Sequence, residues 1–533
     1  MELRFADQIE TSLGQGFFPW DGKTAKDVHA EQRMENGALA VTLTAEESRV
    51  CFLRLRWNFT ASEQIRENVK VLGDAWERSY GDLAWLPLDA ERRLPWVCAV
   101  SNGTDSNLDC DGRWTRCFGV KTQPGAFCLW QMDQEGATLT CDVRNGGTGV
   151  LLRGRALNVC EIVMREYRDV SAFRALTQFY RILCDHPLHP AAPVYGANNW
   201  YYAYGKSSAE EIRQDAALVS RLSGAAENRP FMVIDDGWQK NPTDGPWDRG
   251  NERFPDMKGL CADMKSLRVK PGLWVRYLAD EHGETQGISD DMRLARNPRY
   301  LDPSHPNLLQ KVIEDTKRFT EDWGYQLIKH DFSTCDIFGF WGFQRKAFLA
   351  EDGWRFFDET KTSAEIIVQF YRTIYESAAP GTVILGCNVI GHLAAGLVHL
   401  NRTGDDTSGV EWARTRKMGV NTLAFRMPQH RAFFDMDADC VGITGKIDWR
   451  MNGQWLRILS QSGTPLFVSC QPGEAKGKVE QALLTAFERA SVQSDTLLPL
   501  DWMENACPER WLLNGEEIHF QWTIDAQNAM SRR

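Results

Sequence analysis

Carboxylates cluster at the ends of apolar segments in the second half of this chain, and two kinds of chemistry need such clusters. A pair of carboxyl groups can act as nucleophile and acid on a glycoside, and a larger group can hold a metal ion. The aspartates concerned are Asp235, Asp236, Asp331, Asp405, Asp406, Asp435, Asp437 and Asp439. Their types alone leave both kinds of chemistry open.

Lys329 and Asp331 lie two residues apart in LIKHDF (327–332), so on a strand both side chains point to the same face. A lysine beside a carboxylate favours the ionised form that a nucleophile requires. The pattern also fits an ordinary solvated ion pair. Its position after the fourth predicted strand favours the catalytic interpretation.

Arg402 precedes Asp405 and Asp406 in the glycine-flanked segment NRTGDDTSG (401–409). One aspartate can supply a proton while Arg402 holds a substrate hydroxyl or another carboxylate. Alternatively, one of the two caps the helix that begins near Gly409.

Asp235 and Asp236 end an apolar run and are followed closely by Trp238 in FMVIDDGWQ (231–239). A carboxylate pair beside an indole can bind sugar hydroxyls while the indole packs on the apolar face of the ring. Structural loop carboxylates explain the pattern equally well. Trp200 and Trp274 also lie at predicted strand ends, where they either stack on a sugar or pack in the core.

The metal interpretation is weaker. DMDADC (435–440) resembles the start of a calcium loop, but Cys440 and Lys446 stand where the turn glycine and the bidentate glutamate belong. The histidines lack the spacing of a metal-binding pair, so a metal isomerase on the same fold is a poorly supported alternative. We expect no metal and no organic cofactor.

The elements that would position these side chains alternate between short apolar strands and amphipathic helices. The strand candidates are 194–204, 231–236, 270–277, 325–331, 382–388, 398–406, 432–439 and 465–470. A capping box at Ser208–Glu211 opens one intervening helix. This pattern predicts an α/β fold, a closed (β/α)8 TIM barrel with its active site at the carboxyl ends of the strands. An open doubly wound sheet is the alternative.

β patterns flank the barrel on both sides. Up to about residue 165 apolar and polar residues alternate between turn residues, and helical spacing follows over 171–184. We therefore predict an N-terminal β-sandwich domain with a linker helix over 1–190, a catalytic barrel over 191–490, and a small C-terminal β domain over 491–533.

Composition narrows the class of protein. Hydrophobic residues make up 43% and charged residues 25% of 533, as in soluble globular proteins, and a formal charge of −11 argues against a nucleic-acid partner. The uncharged stretch 377–401 is broken by proline and glycine, which disfavours a membrane span. Residues 1–20 lack the pattern of an export signal, and 14 cysteines occur without a CxxC pair. We expect a cytoplasmic protein.

The order of these motifs resembles the α-galactosidases of glycoside hydrolase family 36, which share a clan with family 27. DDGW follows strand two, GLW lies in strand three, K-x-D follows strand four, R-x-G-x-D-T follows strand six, and D-x-D-C lies in strand seven. The resemblance covers roughly 194–470. It implies a retaining α-glycosidase that takes a small carbohydrate substrate and hydrolyses terminal non-reducing α-galactosides through a covalent glycosyl-enzyme.

The resemblance also implies roles for individual residues. Asp331 is then the nucleophile and Asp406 the general acid/base, about 5–5.5 Å apart as retention requires. Asp235 and Asp236 would bind sugar hydroxyls, and the negative charge of Asp405 would disfavour ionisation of Asp406. Further substrate contacts are expected for Lys329, Arg402, Trp274, Trp200, Trp238, Cys387 and Asn388.

Two segments depart from the family pattern. GLWVRYLADE carries Arg276 and Tyr277 in place of an acidic segment, and CNVIGHLAAG (387–396) replaces a glycine-rich loop. We expect both to face the substrate, so three alternatives stay open: an N-acetylgalactosaminide, another α-glycoside, or galactosyl transfer as in the similar raffinose synthases. A sugar-binding pseudoenzyme is disfavoured because both carboxylates are present. A homo-oligomer is a further expectation.

Overall fold

The computed structural model describes residues 2–14, 24–65, 68–103, 111–344, 348–351, 353–492 and 497–523. Parts of the predicted N-terminal stretch (15–20) and of the predicted C-terminal domain (493–496 and 524–533) lie outside the described residues.

The N-terminal region is built from antiparallel strands. They are β1 Gln8–Ser12, β2 Val28–Glu35, β3 Ala38–Ala45, β4 Arg49–Val50, β5 Phe52–Asn58, β6 Lys70–Gly73, β7 Leu86–Pro87, β8 Leu94–Pro95, β9 Val97–Ser101, β10 Trp114–Val120, β11 Phe127–Met132, β12 Gly136–Asp142, β13 Val150–Leu151 and β14 Leu157–Arg168. One sheet has the order β1-β5-β12-β11-β8, and a second has the order β2-β3-β14-β10-β9-β6-β7.

The two N-terminal sheets pack face to face through large apolar side chains. Along β3, buried residues alternate with partly exposed ones, as expected for a strand with one face in a core. Phe118 of β10 contacts Trp130 of β11 with ring centroids 5.7 Å apart, and both side chains are fully buried. The region is therefore a β-sandwich, as the alternating pattern predicts.

Helix α1, Ala172–Arg181, is capped by Ser171 and leads to a second region in which strands and helices alternate. Its strands are β15 Tyr195–Asn198, β16 Phe231–Ile234, β17 Lys270–Val275, β18 Leu327–His330, β19 Val383–Gly386, β20 Leu400–Arg402, β21 Asp435–Asp437, β22 Val441–Ile443 and β23 Leu466–Cys470. Its helices are α2 Trp200–Ala203, α3 Ala209–Leu222, α4 Met257–Ser266, α5 Pro306–Lys317, α6 Ser333–Phe338, α7 Ser363–Ser377, α8 Gly391–Ala394, α9 Trp412–Thr415, α10 Asn421–Arg426, α11 Trp449–Leu459 and α12 Lys478–Ala490.

These strands form one parallel sheet that closes on itself. The order is β21-β20-β19-β18-β17-β16-β15-β23-β22, and β21 and β22 are two halves of one strand separated by residues 438–440. The first half pairs with β20 and the second with β23, which closes the ring. The predicted TIM barrel is confirmed and the open sheet is not found. All eight predicted strand segments contain a strand, but the second half of strand seven was not predicted.

A small antiparallel sheet follows the barrel. It consists of β24 Leu497–Pro499, β25 Arg510–Leu513 and β26 Glu516–His519. Trp502 from this region packs edge-on against Trp85 of the N-terminal region, with ring centroids 5.5 Å apart. In the part of the chain that the structure describes, no helix combines the length and the apolar character needed to cross a bilayer.

A substitution at Gly196 tests how closely the first two barrel strands approach each other. It pairs with Phe231, and a Cβ built on it would lie 1.9 Å from the Phe231 carbonyl oxygen. Gly196→Ala should therefore cost about 1–3 kcal/mol or more in the free energy of unfolding, measured by denaturant titration. Gly453→Ala, on helix α11 with ordinary contacts, is the control and should stabilise by up to about 1 kcal/mol. Equal stabilities would contradict the strand packing.

Candidate active site

A cavity of about 180 Å³ lies at the carboxyl ends of the barrel strands. This is the face on which side chains from different strands converge in (β/α)8 barrels. Its lining residues are Arg78, Trp200, Asp235, Asp236, Thr243, Trp274, Lys329, Asp331, Phe332, Trp341, Asn388 and Asp406. Most of the predicted site residues therefore share one cavity.

Asp331, directly after β18, is held by three neutral donors. Trp274 Nε1 donates to its Oδ2 at 2.9 Å, and Asn388 Nδ2 donates to its Oδ1 at 2.5 Å. The backbone N–H of Phe332 also donates to Oδ1, at 2.7 Å. Asp331 accepts in every case, as an ionised carboxylate does, and both oxygens are fixed in orientation. Asn388, from the segment that departs from the family pattern, thus contacts this carboxylate directly.

Lys329 does not form its ion pair with Asp331, although the two are neighbours on one strand face. Its Nζ lies 2.6 Å from Asp235 Oδ2, and both side chains are buried. Burial opposes the ammonium charge, but Asp235, Cys387 and Asp331 outweigh it and raise the pKa of Lys329. Lys329 therefore acts electrostatically on Asp331 as expected, but its direct ion pair is with Asp235 at the end of β16.

The two adjacent aspartates after β16 differ in the hydrogen bonds that their carboxylates accept. Asp235 accepts from Lys329, from Asn198 Nδ2 at 2.6 Å and from the backbone N–H of Asp236. Asp236 accepts from Gln239 and from the backbone of Thr243 on Oδ1 only, and burial raises its pKa. Both of these donors reach Oδ1, so Oδ2 is the oxygen of Asp236 better placed to accept from a ligand.

Asp406 lies between two arginines. Arg402 Nη2 is 3.0 Å and Arg78 Nη1 is 3.5 Å from its Oδ1. Burial opposes ionisation, but the charges of Arg402, Arg78 and Lys329 outweigh it and lower the pKa of Asp406 to about 2. The expectation that Asp405 disfavours ionisation is wrong. Asp405 is itself paired with Arg78 at 2.9 Å and Arg414 at 2.7 Å, so its charge is compensated.

Arg78 comes from the N-terminal region. It lies in residues 74–82, a segment after β6 that we call the strap. The buried pair Asp74–Arg426, at 2.6 Å, ties the strap to helix α10. Ser79 donates its N–H to the Thr403 carbonyl and accepts from the N–H of Asp405, both at 2.8 Å. The strap therefore pairs with the backbone segment that carries Asp405 and Asp406.

Three of the predicted contact residues lie outside the cavity lining. Trp238 is fully buried and donates its Nε1–H to the Trp274 carbonyl at 2.9 Å, so it contacts a residue of the cavity lining without reaching the cavity itself. Cys387 is buried at the end of β19, and Arg402 lies behind Asp406. Arg276 is also outside the lining but contacts it: its guanidinium pairs with buried Asp336 at 2.7 Å and donates to the Thr243 carbonyl at 2.9 Å.

Sequence reasoning missed Arg78, Thr243, Phe332 and Trp341. Trp341 belongs to FGFWGF (338–343), whose aromatic density soon after Asp331 was an available signal. Arg78 had none, because Arg78 and Asp406 are 328 residues apart and only folding brings them together.

The one group of three potential metal ligands among the described residues lies far from this chemistry. The Sγ atoms of Cys128, Cys141 and Cys160 lie within 4.8 Å of one another on β11, β12 and β14. These thiols are fully buried in the sandwich core. A divalent ion held by three thiolates would leave a net negative charge buried there, which is costly. The group is better explained as core packing.

Neither a protein-family model nor a curated protein matches this sequence. Solved structures do match, and the chain has the fold of the family 36 α-galactosidases. The α-galactosidase of Thermus thermophilus with p-nitrophenyl α-D-galactopyranoside matches with a TM-score of 0.57 and 14% identity, over 92% of this chain and 99% of that chain. AgaA of Geobacillus stearothermophilus with 1-deoxygalactonojirimycin matches with 0.59 and 14%, over 89% and 70%. The Lactobacillus brevis α-galactosidase matches with 0.56 and 13%, over 94% and 71%.

Lys329→Met tests the buried ion pair. It leaves Asp235 buried without its cation, which should lower the free energy of unfolding by about 3–5 kcal/mol at pH 7. In the double variant Lys329→Met/Asp235→Asn no charge is left unpaired, so most of the loss should be recovered. Denaturant titration of the two variants and the wild type measures both effects. A double variant no more stable than Lys329→Met would contradict the pairing.

Proposed function

We propose that this protein is a retaining α-glycosidase acting on terminal non-reducing α-galactosides, with Asp331 as nucleophile and Asp406 as general acid/base. One observation carries the proposal: these two carboxylates, from the ends of different barrel strands, line the same small cavity. Retaining glycosidases need two carboxyl groups facing one glycosidic bond. The fold supports the same class of activity, because the structures it matches are α-galactosidases.

In the first step, a carboxylate oxygen of Asp331 attacks the anomeric carbon and the glycosidic C–O bond breaks. Because its pKa is about 2, Asp406 must take up a proton before this step. It transfers that proton to the departing oxygen, so that an alcohol leaves and a glycosyl ester of Asp331 forms. The donors Trp274 and Asn388 suit Asp331 to this role, because they hold its oxygens in a constant direction before the sugar arrives.

In the second step, ionised Asp406 takes a proton from water, and the resulting oxygen attacks the anomeric carbon. The ester bond to Asp331 breaks, which regenerates its carboxylate and leaves Asp406 protonated for the next cycle. Two displacements at one carbon restore its configuration. The two arginines beside Asp406 favour its ionised form, which is the form that this step requires.

The rest of the cavity suits a single sugar ring. Oδ2 of Asp236 and the Asp235–Lys329 pair offer acceptors and a donor for ring hydroxyls. Trp200 and Trp274 add indole surfaces, which pack on the apolar face of a sugar. This combination of a few polar groups with aromatic walls is typical of a site that binds a small ligand in one orientation.

Nitrophenol release from a panel of nitrophenyl α-glycosides tests the activity. The wild type should turn over the α-galactoside, and Asp331→Asn should lose about 10⁴-fold or more in kcat because the nucleophile is gone. Asp435→Asn is a matched control: Asp435 also lies at a strand end, but it faces His189 at 3.0 Å and does not line the cavity. The control should keep near-wild-type activity.

A wild type that releases no nitrophenol from any α-glycoside would count against the proposed function. Full activity of Asp331→Asn would instead remove Asp331 as nucleophile. Release from the N-acetylgalactosaminide alone would keep the mechanism and change the sugar.

A further inference from the structure

The carboxylate of Asp406 is held by one oxygen only. Both Arg402 Nη2, at 3.0 Å, and Arg78 Nη1, at 3.5 Å, approach Oδ1. No described residue donates a hydrogen bond to Oδ2, and the side chain keeps 37% of its surface exposed. The two oxygens therefore differ: one is occupied by cations and the other is left for a ligand.

Arg78 is itself held from three sides. The strap pairs with Thr403 and Asp405 through backbone hydrogen bonds of 2.8 Å, which sets its register beside Asp406. Nη2 of Arg78 lies 2.9 Å from Asp405, and the Arg78 guanidinium lies 5.2 Å from the ring centroid of Trp341. With only 7% of its side chain exposed, Arg78 has little freedom to leave this position.

On the basis of the proposed function, we propose that Arg78 is a positioning residue for the general acid/base. With Arg402 it holds Oδ1 of Asp406, so that Oδ2 is the oxygen that gives a proton to the glycosidic oxygen and later takes one from water. The N-terminal β-sandwich thus takes part in the chemistry of the barrel through one side chain.

Arg78 also contributes to the electrostatics of the site. The titratable groups that act on Asp406 are Arg402 on β20, Arg78 on the strap, Lys329 on β18 and Tyr201 on α2. Two further carboxylates bind its arginines: Asp405 pairs with Arg78 and Asp439 with Arg402. Burial raises the pKa of Asp406, and Arg402, Arg78 and Lys329 lower it, in that order of effect. Removing Arg78 therefore raises the pKa of Asp406.

Charge and orientation act in opposite directions on the first step. A raised pKa keeps more of Asp406 in its proton-donating form, which by itself favours transfer to the leaving oxygen. Loss of the guanidinium frees the carboxylate to rotate, which should lower kcat/KM by about 10- to 100-fold where the leaving oxygen needs a proton. A fall in kcat/KM therefore reports orientation and not charge.

The experiment compares kcat/KM at neutral pH for the wild type, Arg78→Met, Arg78→Lys and Arg414→Met. Arg414 is the matched control, because it binds Asp405 at 2.7 Å but has no contact with Asp406. Two substrates are used: raffinose, whose leaving alcohol needs a proton, and p-nitrophenyl α-galactoside, whose leaving group needs little assistance. Unfolding midpoints verify that each variant is folded.

Arg78→Met should lower kcat/KM for raffinose far more than for the nitrophenyl substrate. Arg78→Lys should restore part of this loss, and Arg414→Met should behave as the wild type. An unchanged or raised kcat/KM for raffinose in Arg78→Met, equal losses on both substrates, or the same loss in Arg414→Met would overturn the proposal. A wild type inactive on both substrates would count against the proposed function instead.

Discussion

Buried charge at the carboxyl ends of the barrel strands must be paired, and the rest of the site depends on this constraint. An ion that loses water without gaining a partner costs several kcal/mol. Arg402 lies 3.0 Å from both Asp406 and Asp439, and Lys329 lies 2.6 Å from Asp235. The pairs that compensate these charges also fix where each carboxylate stands. Asp331 and Asp236 have neutral donors instead, and both line the cavity.

The same constraint accounts for the irregular seventh strand. Asp439 sits in the break between β21 and β22 with φ of 78°, and it accepts hydrogen bonds from the Tyr201 hydroxyl and from the N–H of Thr407. The break therefore joins three neighbouring segments around the Arg402 charge, while the two half-strands still close the ring.

The N-terminal sandwich contributes a residue to the cavity of the barrel. Its strap pairs with the backbone before Asp406 and places Arg78 in the cavity wall, next to Trp341. A barrel alone would leave Asp405 with one cation instead of two, and Asp406 likewise. The interface between the two regions is thus polar where it meets the site, and the buried Asp74–Arg426 pair fixes its register.

Local sequence determined the elements and the chemistry that each strand end offers. Apolar runs such as Phe231–Ile234 must be buried, and the polar residues that end them emerge at one rim of a parallel barrel, so the sequence predicts Asp235, Asp331 and Asp406 at that rim. Which charged groups pair with one another was decided by tertiary structure alone. Lys329 and Asp331 share a strand face, yet the ammonium group pairs with Asp235 from the end of β16. Arg78 reaches Asp406 across 328 residues of chain, a contact that no local pattern encodes because it depends on how two separately patterned regions pack.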